Sequence, residues 1–215
     1  MNHLIVTRLN DVNLKASEVS FVFDRKNIPF NAISNVNWTN YPYKPDVKFR
    51  IAHNGQSIFL NYQVEESDIQ AVCDVDNGPV WKDSCVEFFV SFGDDFYYNI
   101  ECNCIGKILI AKRMDKSNRM PVSESLLALI DRWSSLGNLP VENQSGKWEL
   151  SLVIPLEVFS LNGINTLDGL EAKGNFYKCG DNLKVPHYLS WNPIKNEKPN
   201  FHLPQFFEKI SFNYQ

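Results

Sequence analysis

The sequence predicts an all-β fold, a sandwich or a barrel, with one short packed helix. Three observations carry this. At least nine short runs have the length and apolar content of strands, turn residues separate them, and one stretch alone repeats its apolar residues at helical spacing. No internal repeat, low-complexity block or linker interrupts the chain, so residues 1–215 are read as a single domain.

The elements follow in order. VSFVF (19–23) is an apolar run, read as a strand. KFRIA (48–52) and SIFLNYQV (57–64) flank His53-Asn54-Gly55-Gln56, where Asn-Gly is a strong hairpin turn. In the second of them, Ile58, Leu60, Tyr62 and Val64 form the apolar face. CVEFFVSF (85–92) and FYYNIECNCIG (96–106) flank Gly93-Asp94-Asp95. KILIAKR (107–113), KWELSLVIP (147–155), NFYKCG (175–180), YLSW (188–191) and FEKISF (207–212) complete the set. The helical signal is ESLLALIDRWSSLG. Ser123 precedes it as N-cap, Gly137 closes it, and Leu126, Leu127, Ile130 and Trp133 form its stripe. Trp133 is therefore expected in a buried face.

Bulk properties narrow the function classes. The chain is long enough to bury a sizeable core. Apolar residues make up 44% and charged residues 21%, as in ordinary globular proteins. The net charge is −4 and the pI about 5.6, with no long basic run. The electrostatic footprint of a nucleic-acid binder is missing, so no such partner is expected. No apolar stretch approaches the roughly 20 residues of a membrane span, so no membrane partner is expected. The opening MNHLIVTRLN lacks a basic region followed by an apolar core. A cytoplasmic location is expected if Met1 is the natural start, a periplasmic or extracellular one if a leader has been removed. The five cysteines show no CxxC pair and no regular spacing, and read as buried free thiols.

WKDSCVEFFV (81–90) carries the functional signal. Strand alternation sends Val86, Phe88 and Val90 to one side, and Trp81, Asp83, Cys85, Glu87 and Phe89 to the other. Paired through Gly93-Asp94-Asp95, the hairpin sets Val90 against Tyr98, Phe88 against Ile100, Glu87 against Glu101 and Cys85 against Asn103. Opposed Cβ atoms are about 4.5–5.5 Å apart, so two like charges there need compensation. Three compensations are open. Lys107, Lys112 or Arg113 could bridge the pair. A cation or a hydroxyl-rich ligand could occupy the site. The pair could be catalytic, since retaining glycosidases hold two carboxyls about 5–5.5 Å apart.

Aromatic residues bear on the choice. Trp81 opens the motif, and Trp191 lies in YLSWNP. Flat rings beside carboxylates and amides suit a pyranose, whose C–H faces stack and whose hydroxyls bond planar polar groups. Trp38 and Trp148 look structural. Tyr177 is either a pocket wall or core. His3, His53, His187 and His202 show no metal-binding spacing, and His202 in NFHLP is a candidate lining residue.

Several blocks, in order, look familiar. WKDSCVEFFV is similar to a W-x-D-x-x-V-E block. YYNIECNCIGKI follows, then IDRWSSLG with WELSLVIPLEVF, then NFYKCGD, YLSWNPIK and PNFHLPQFFEKISF. Over residues 80–212 the chain resembles the family 9 carbohydrate-binding modules, particularly the stand-alone family-9-like proteins of bacteria. The resemblance implies a jelly-roll type β-sandwich that binds a mono- or oligosaccharide without catalysis. In sugar-binding members, two Trp side chains clamp a terminal sugar of a glucan- or xylan-type saccharide, which implies a link to carbohydrate catabolism. Carried onto this chain, Trp81 is one clamp, Trp191 the second, and Glu87 a hydroxyl-binding carboxylate. Glu101, Asn103, Tyr177 and His202 are further ligand-binding candidates. Some members hold structural Ca²⁺. Asp74 and Asp76 in CDVDNG are its candidate ligands here, although no full Ca²⁺ loop is visible. Related DOMON-type sandwiches hold haem through Met and His, but Met1, Met114 and Met120 give that reading poor support. Two other functions stay open: a glycoside hydrolase using Glu87 and Glu101, and a structural or interaction sandwich with no sugar ligand.

Overall fold

The computed structural model describes residues 3–10, 13–93, 95–114 and 117–214. Its elements in chain order are β1 (His3–Arg8), α1 (Val19–Arg25), β2 (Asn31–Ala32), β3 (Asn35–Val36), β4 (Asp46–His53) and β5 (Ser57–Ala71). Next come β6 (Cys85–Ser91), β7 (Tyr97–Asn103), β8 (Ile108–Arg113), β9 (Arg119–Pro121), α2 (Glu124–Leu127) and β10 (Asp131–Ser134). The chain closes with β11 (Val141–Pro155), β12 (Glu171–Cys179), β13 (Tyr188–Ser190) and β14 (Glu208–Phe212).

The strands form a β-sandwich. One sheet runs β10-β11-β5-β4-β1, with β2 on β4. The other runs β1-β14-β12-β6-β7-β8-β9, with β13 on β12 and β3 on β13. Strand β1 belongs to both. His3–Val6 pair in parallel with Lys209–Phe212 of β14, and Thr7 and Arg8 then pair with Ala52 and His53 of β4. Aromatic rings fill the space between the sheets. Phe49 of β4 stacks on Phe176 of β12 at 3.7 Å, and Phe88 of β6 stacks on the same ring at 4.5 Å. Such pairs add about 0.5–1.5 kcal/mol beyond the area they bury. As expected from alternation, Ile58, Leu60, Tyr62 and Val64 point into this core, as do Val86, Phe88 and Val90.

Two further clusters cover the outer faces. On the first sheet, Val19 and Phe23 of α1 pack on Ala52 and Phe59. On the second, Phe89, Tyr97 and Tyr177 lie beneath segments carrying Trp38, Phe201 and Phe207. The fifteen-residue β5 is the longest partner of β11, which runs antiparallel to it over Ser57–Ala71.

Two elements differ from the sequence reading. VSFVF is helical, not a strand. Val19 and Phe23, four residues apart, share one buried stripe, and Ser20 and Asp24 on the same helix accept hydrogen bonds from buried Arg50. The expected helix over 124–137 shrinks to one turn, Glu124–Leu127, capped by the Ser123 hydroxyl. Asp131–Ser134 instead pairs along β11 as an edge strand, so Trp133 is half-buried opposite Ser151 rather than in a helix stripe. Gly137 at φ 77° closes the turn after this strand, its N–H donating to the Ser134 carbonyl. Leu127, at the end of the helical turn, and Ile130, just before the strand, are both buried, and the ladder with β11 pairs the backbone of Asp131–Ser134.

All five cysteines are buried free thiols, as expected. No described helix is long and apolar enough to cross a membrane.

Candidate functional site: a cavity on the outer face of the second sheet

The hairpin register anticipated for β6 and β7 is present. Glu87 lies opposite Glu101, Cys85 opposite Asn103, Phe88 opposite Ile100 and Val90 opposite Tyr98. Asp94 of the connecting turn falls outside the described residues. Pairing continues across β12 and β13, where Glu87 meets Tyr177, Tyr177 meets Ser190, Cys85 meets Cys179 and Cys179 meets Tyr188. Opposed residues share a sheet face. Two rows therefore cross the outer surface: Glu101–Glu87–Tyr177–Ser190 and Asn103–Cys85–Cys179–Tyr188.

A cavity of about 290 Å³ opens above the carboxylate end of these rows. That is near the lower end of the roughly 300–1,000 Å³ typical of small-molecule sites. Trp81 and Tyr188 supply aromatic wall, Glu101 and Asp181 carboxylates, and Arg113 and Arg119 cations. The segment 199–202 closes one side. It is anchored by Phe201, whose ring stacks on Tyr177 at 4.2 Å and whose carbonyl accepts from the Tyr177 hydroxyl. His202 also faces the cavity, with Nδ1 3.0 Å from the Tyr97 hydroxyl. Trp81 is placed by a short 3₁₀ turn, Val80–Lys82, just before β6. Asp83 fixes that turn by accepting from the Val72 and Cys73 amides and from Asn103 Nδ2.

Glu101 lines the cavity, and Glu87 is buried beside it. Glu87 is 3% exposed and Glu101 4%. Burial, with Cys179 and Glu101 beside it, pushes the Glu87 carboxyl well above the usual range. Burial also raises Glu101, to about 7, against the opposing pull of Asn99 and of the Arg113 and Arg119 charges. Of the three open compensations, a nearby cation is partly present and works through a relay. Arg113 Nε donates to Asn99 Oδ1 at 2.9 Å, and Asn99 Nδ2 donates to Glu101 Oε1 at 2.7 Å. Glu87 Oε1 accepts instead from the Cys179 thiol at 3.1 Å.

Of the residues singled out in the sequence, Trp81, Glu101 and His202 line the cavity. Glu87 and Tyr177 are buried beside it on the same sheet face and do not line it. Asn103 lies apart, in a structural network. Its Nδ2 donates to the Cys73 carbonyl and Asp83, and its Oδ1 accepts from the Lys107 amide. Trp191 also lies elsewhere. It is 7% exposed, and its ring meets Phe49 and Phe176 edge-on between the sheets. The neighbouring wall is Tyr188, which sequence reasoning missed although alternation in YLSW places Tyr188 and Ser190 on the face opposite Trp191. Asp181 and Phe201 lie in the NFYKCGD and PNFHLPQFFEKISF blocks without being singled out there, and Arg119, on a short edge strand, lies in no block. Asp76, weighed as a Ca²⁺ ligand, is held by Arg132 in a forked ion pair of 2.7 and 2.9 Å and also accepts from the Ile108 amide.

A β-sandwich with a carboxylate-lined, aromatic-walled cavity on one outer face defines a ligand-binding module. The chain belongs to carbohydrate-binding family 9, whose model matches residues 17–212. It is similar to a crystal structure from Bacteroides uniformis ATCC 8492, provisionally described as a carbohydrate-binding protein, at 47% identity. That likeness covers 98% of this chain and 99% of the other, with a TM-score of 0.95. Two structures of a family 9 carbohydrate-binding module from Caldicellulosiruptor kristjanssonii share the fold. The one in complex with glucose is 12% identical, with a TM-score of 0.66 over 100% of this chain and 97% of that one. The one in complex with cellotriose is 11% identical, with a TM-score of 0.65 over 100% and 95%. No curated protein matches the chain.

Proposed function

We propose that this chain binds the terminal sugar of a glucan- or xylan-type saccharide, without catalysis, in the cavity between Trp81 and Tyr188, and so serves carbohydrate catabolism. The observation that carries the reading is Trp81 beside the buried Glu101 carboxylate in one small cavity of a family 9 fold. A pyranose offers C–H faces to the rings and hydroxyls to Glu101, Asp181 and the arginines. The module that shares this fold and was captured with glucose supports a sugar of this type. Tyr188 takes the wall position that the resemblance assigns to Trp191, because the Trp191 ring is enclosed between the sheets. Non-catalytic binding is favoured over hydrolysis by the Glu87 and Glu101 pair. A glycosidase nucleophile must be ionised, and burial drives both carboxyls toward the neutral form.

Isothermal titration with glucose, cellobiose, xylose and xylobiose tests the reading. Saturable heat that vanishes in Trp81→Ala and in Tyr188→Ala is expected, with no reducing sugar released from cellobiose. Absence of heat and of ligand-induced NMR shifts across the set would overturn it.

A further inference from the structure

Cys85, Glu87 and Cys179 form a cluster that sugar binding does not require. Cys85 and Glu87 stand two apart on one face of β6, and Cys179 lies directly opposite Cys85 on β12. The two thiol sulfurs and a Glu87 oxygen all lie within 4.8 Å of one another, with 3.1 Å between Cys179 Sγ and Glu87 Oε1. All three side chains are buried. Among the described residues, no lysine or arginine bonds to Glu87. Cys179 also lines the sugar cavity, so one side of the cluster opens to solvent.

We propose that Cys85, Glu87 and Cys179 are three ligands of a divalent metal site of the zinc class, its fourth position facing the cavity. Zinc bonds of about 2.3 Å to sulfur and about 2.0–2.2 Å to oxygen set tetrahedral edges of roughly 3.5–3.8 Å between ligand atoms. The cluster, with its ligand atoms no more than 4.8 Å apart, reaches that spacing with side-chain shifts of up to about 1 Å. Two sulfurs exclude the hard cations Ca²⁺ and Mg²⁺, which take oxygen ligands. The ion bonds to two thiolates and one carboxylate, and the protons of Cys85, Cys179 and any protonated Glu87 leave through the cavity to buffer. No electrons are transferred. The fourth position takes water, or a hydroxyl of a ligand entering the cavity. Metal binding of this kind stands independently of the sugar reading, because its test needs no saccharide.

The test is a Co²⁺ titration of the full chain, fully reduced with a phosphine so that no Cys85–Cys179 disulfide can form. Expected is a thiolate-to-cobalt charge-transfer band saturating at one ion per chain and bleached by Zn²⁺. Cys85→Ser and Cys179→Ser should each abolish it, and Cys73→Ser, outside the cluster, should leave it unchanged. If a cysteine variant fails to fold, Glu87→Gln serves in its place and should weaken Co²⁺ binding at least tenfold. No band with the reduced wild type, or a band that survives loss of the cluster ligands, would overturn the proposal.

Discussion

Glu87 and Glu101 face each other across β6 and β7, and both are buried. Both therefore hold their protons to higher pH when folded than when unfolded. The folded state binds more protons wherever the unfolded carboxyl has already ionised. The stability these two carboxyls contribute is thus complete below the ordinary value of 4.5 and falls as pH rises through about 7, where Glu101 ionises, and further for Glu87. Urea unfolding across this range should show the decline, and Glu87→Gln should flatten it.

The acid side is set by a different group. Burial and the adjacent Lys178 hold His187 at about 3, well under its ordinary 6.5. Here the unfolded state binds the extra proton, so stability is lost as pH falls from 6.5 toward 3. With the carboxylates pulling the other way, maximal stability should lie between these limbs. His187→Gln should shift the maximum to lower pH in the same urea series.

Trp81 and Trp191 should separate cleanly. Trp191→Ala removes a ring enclosed by Phe49 and Phe176 and should cost about 3–5 kcal/mol in chemical denaturation. Trp81→Ala acts on a half-buried ring at the cavity and should cost clearly less, while abolishing saccharide heat. Equal destabilisation by the two would count against Trp81 as a binding wall.

A buried ion pair ties β12 to β5. Lys178 Nζ lies 2.8 Å from Glu66 Oε2 and 2.9 Å from His187 Nε2, and Trp148 Nε1 donates to Glu66 Oε1. Lys178→Met strands a buried carboxylate and should destabilise by about 3–5 kcal/mol. Adding Glu66→Gln should recover part of that loss, read as a coupling energy in a double-mutant cycle.

Gly174 is fixed by contact. A Cβ there would sit 2.5 Å from the Phe89 carbonyl oxygen and 2.8 Å from Ile210 Cδ1. Gly174→Ala should cost about 1–3 kcal/mol, measurable as a lower urea midpoint.

Much of the β6–β7 hairpin is legible in the chain because two local signals agree. Alternation assigns the faces, and a three-residue turn with Gly93 sets the register that opposes Glu87 and Glu101. The site's far wall is not legible in the same way. YLSWNP draws attention to its Trp, whereas pairing of Tyr177 with Ser190 decides which ring faces the cavity. VSFVF and IDRWSS are short apolar runs that suit helix or strand equally, and tertiary packing settles them. Asp181, Arg119 and Phe201 meet only because β9, the loop after β12 and the segment 199–202 converge in space.

The parallel pairing of His3–Val6 with Lys209–Phe212 has a mechanical consequence. Tension applied through the two ends runs along β1 and β14 in opposite directions. The rungs of that ladder are then sheared together, like a lap joint, instead of opening one at a time like a zipper. Thr7 and Arg8, continuing onto β4, carry the load into the other sheet. A molecule pulled this way should give at a single high force, with both layers released in one event.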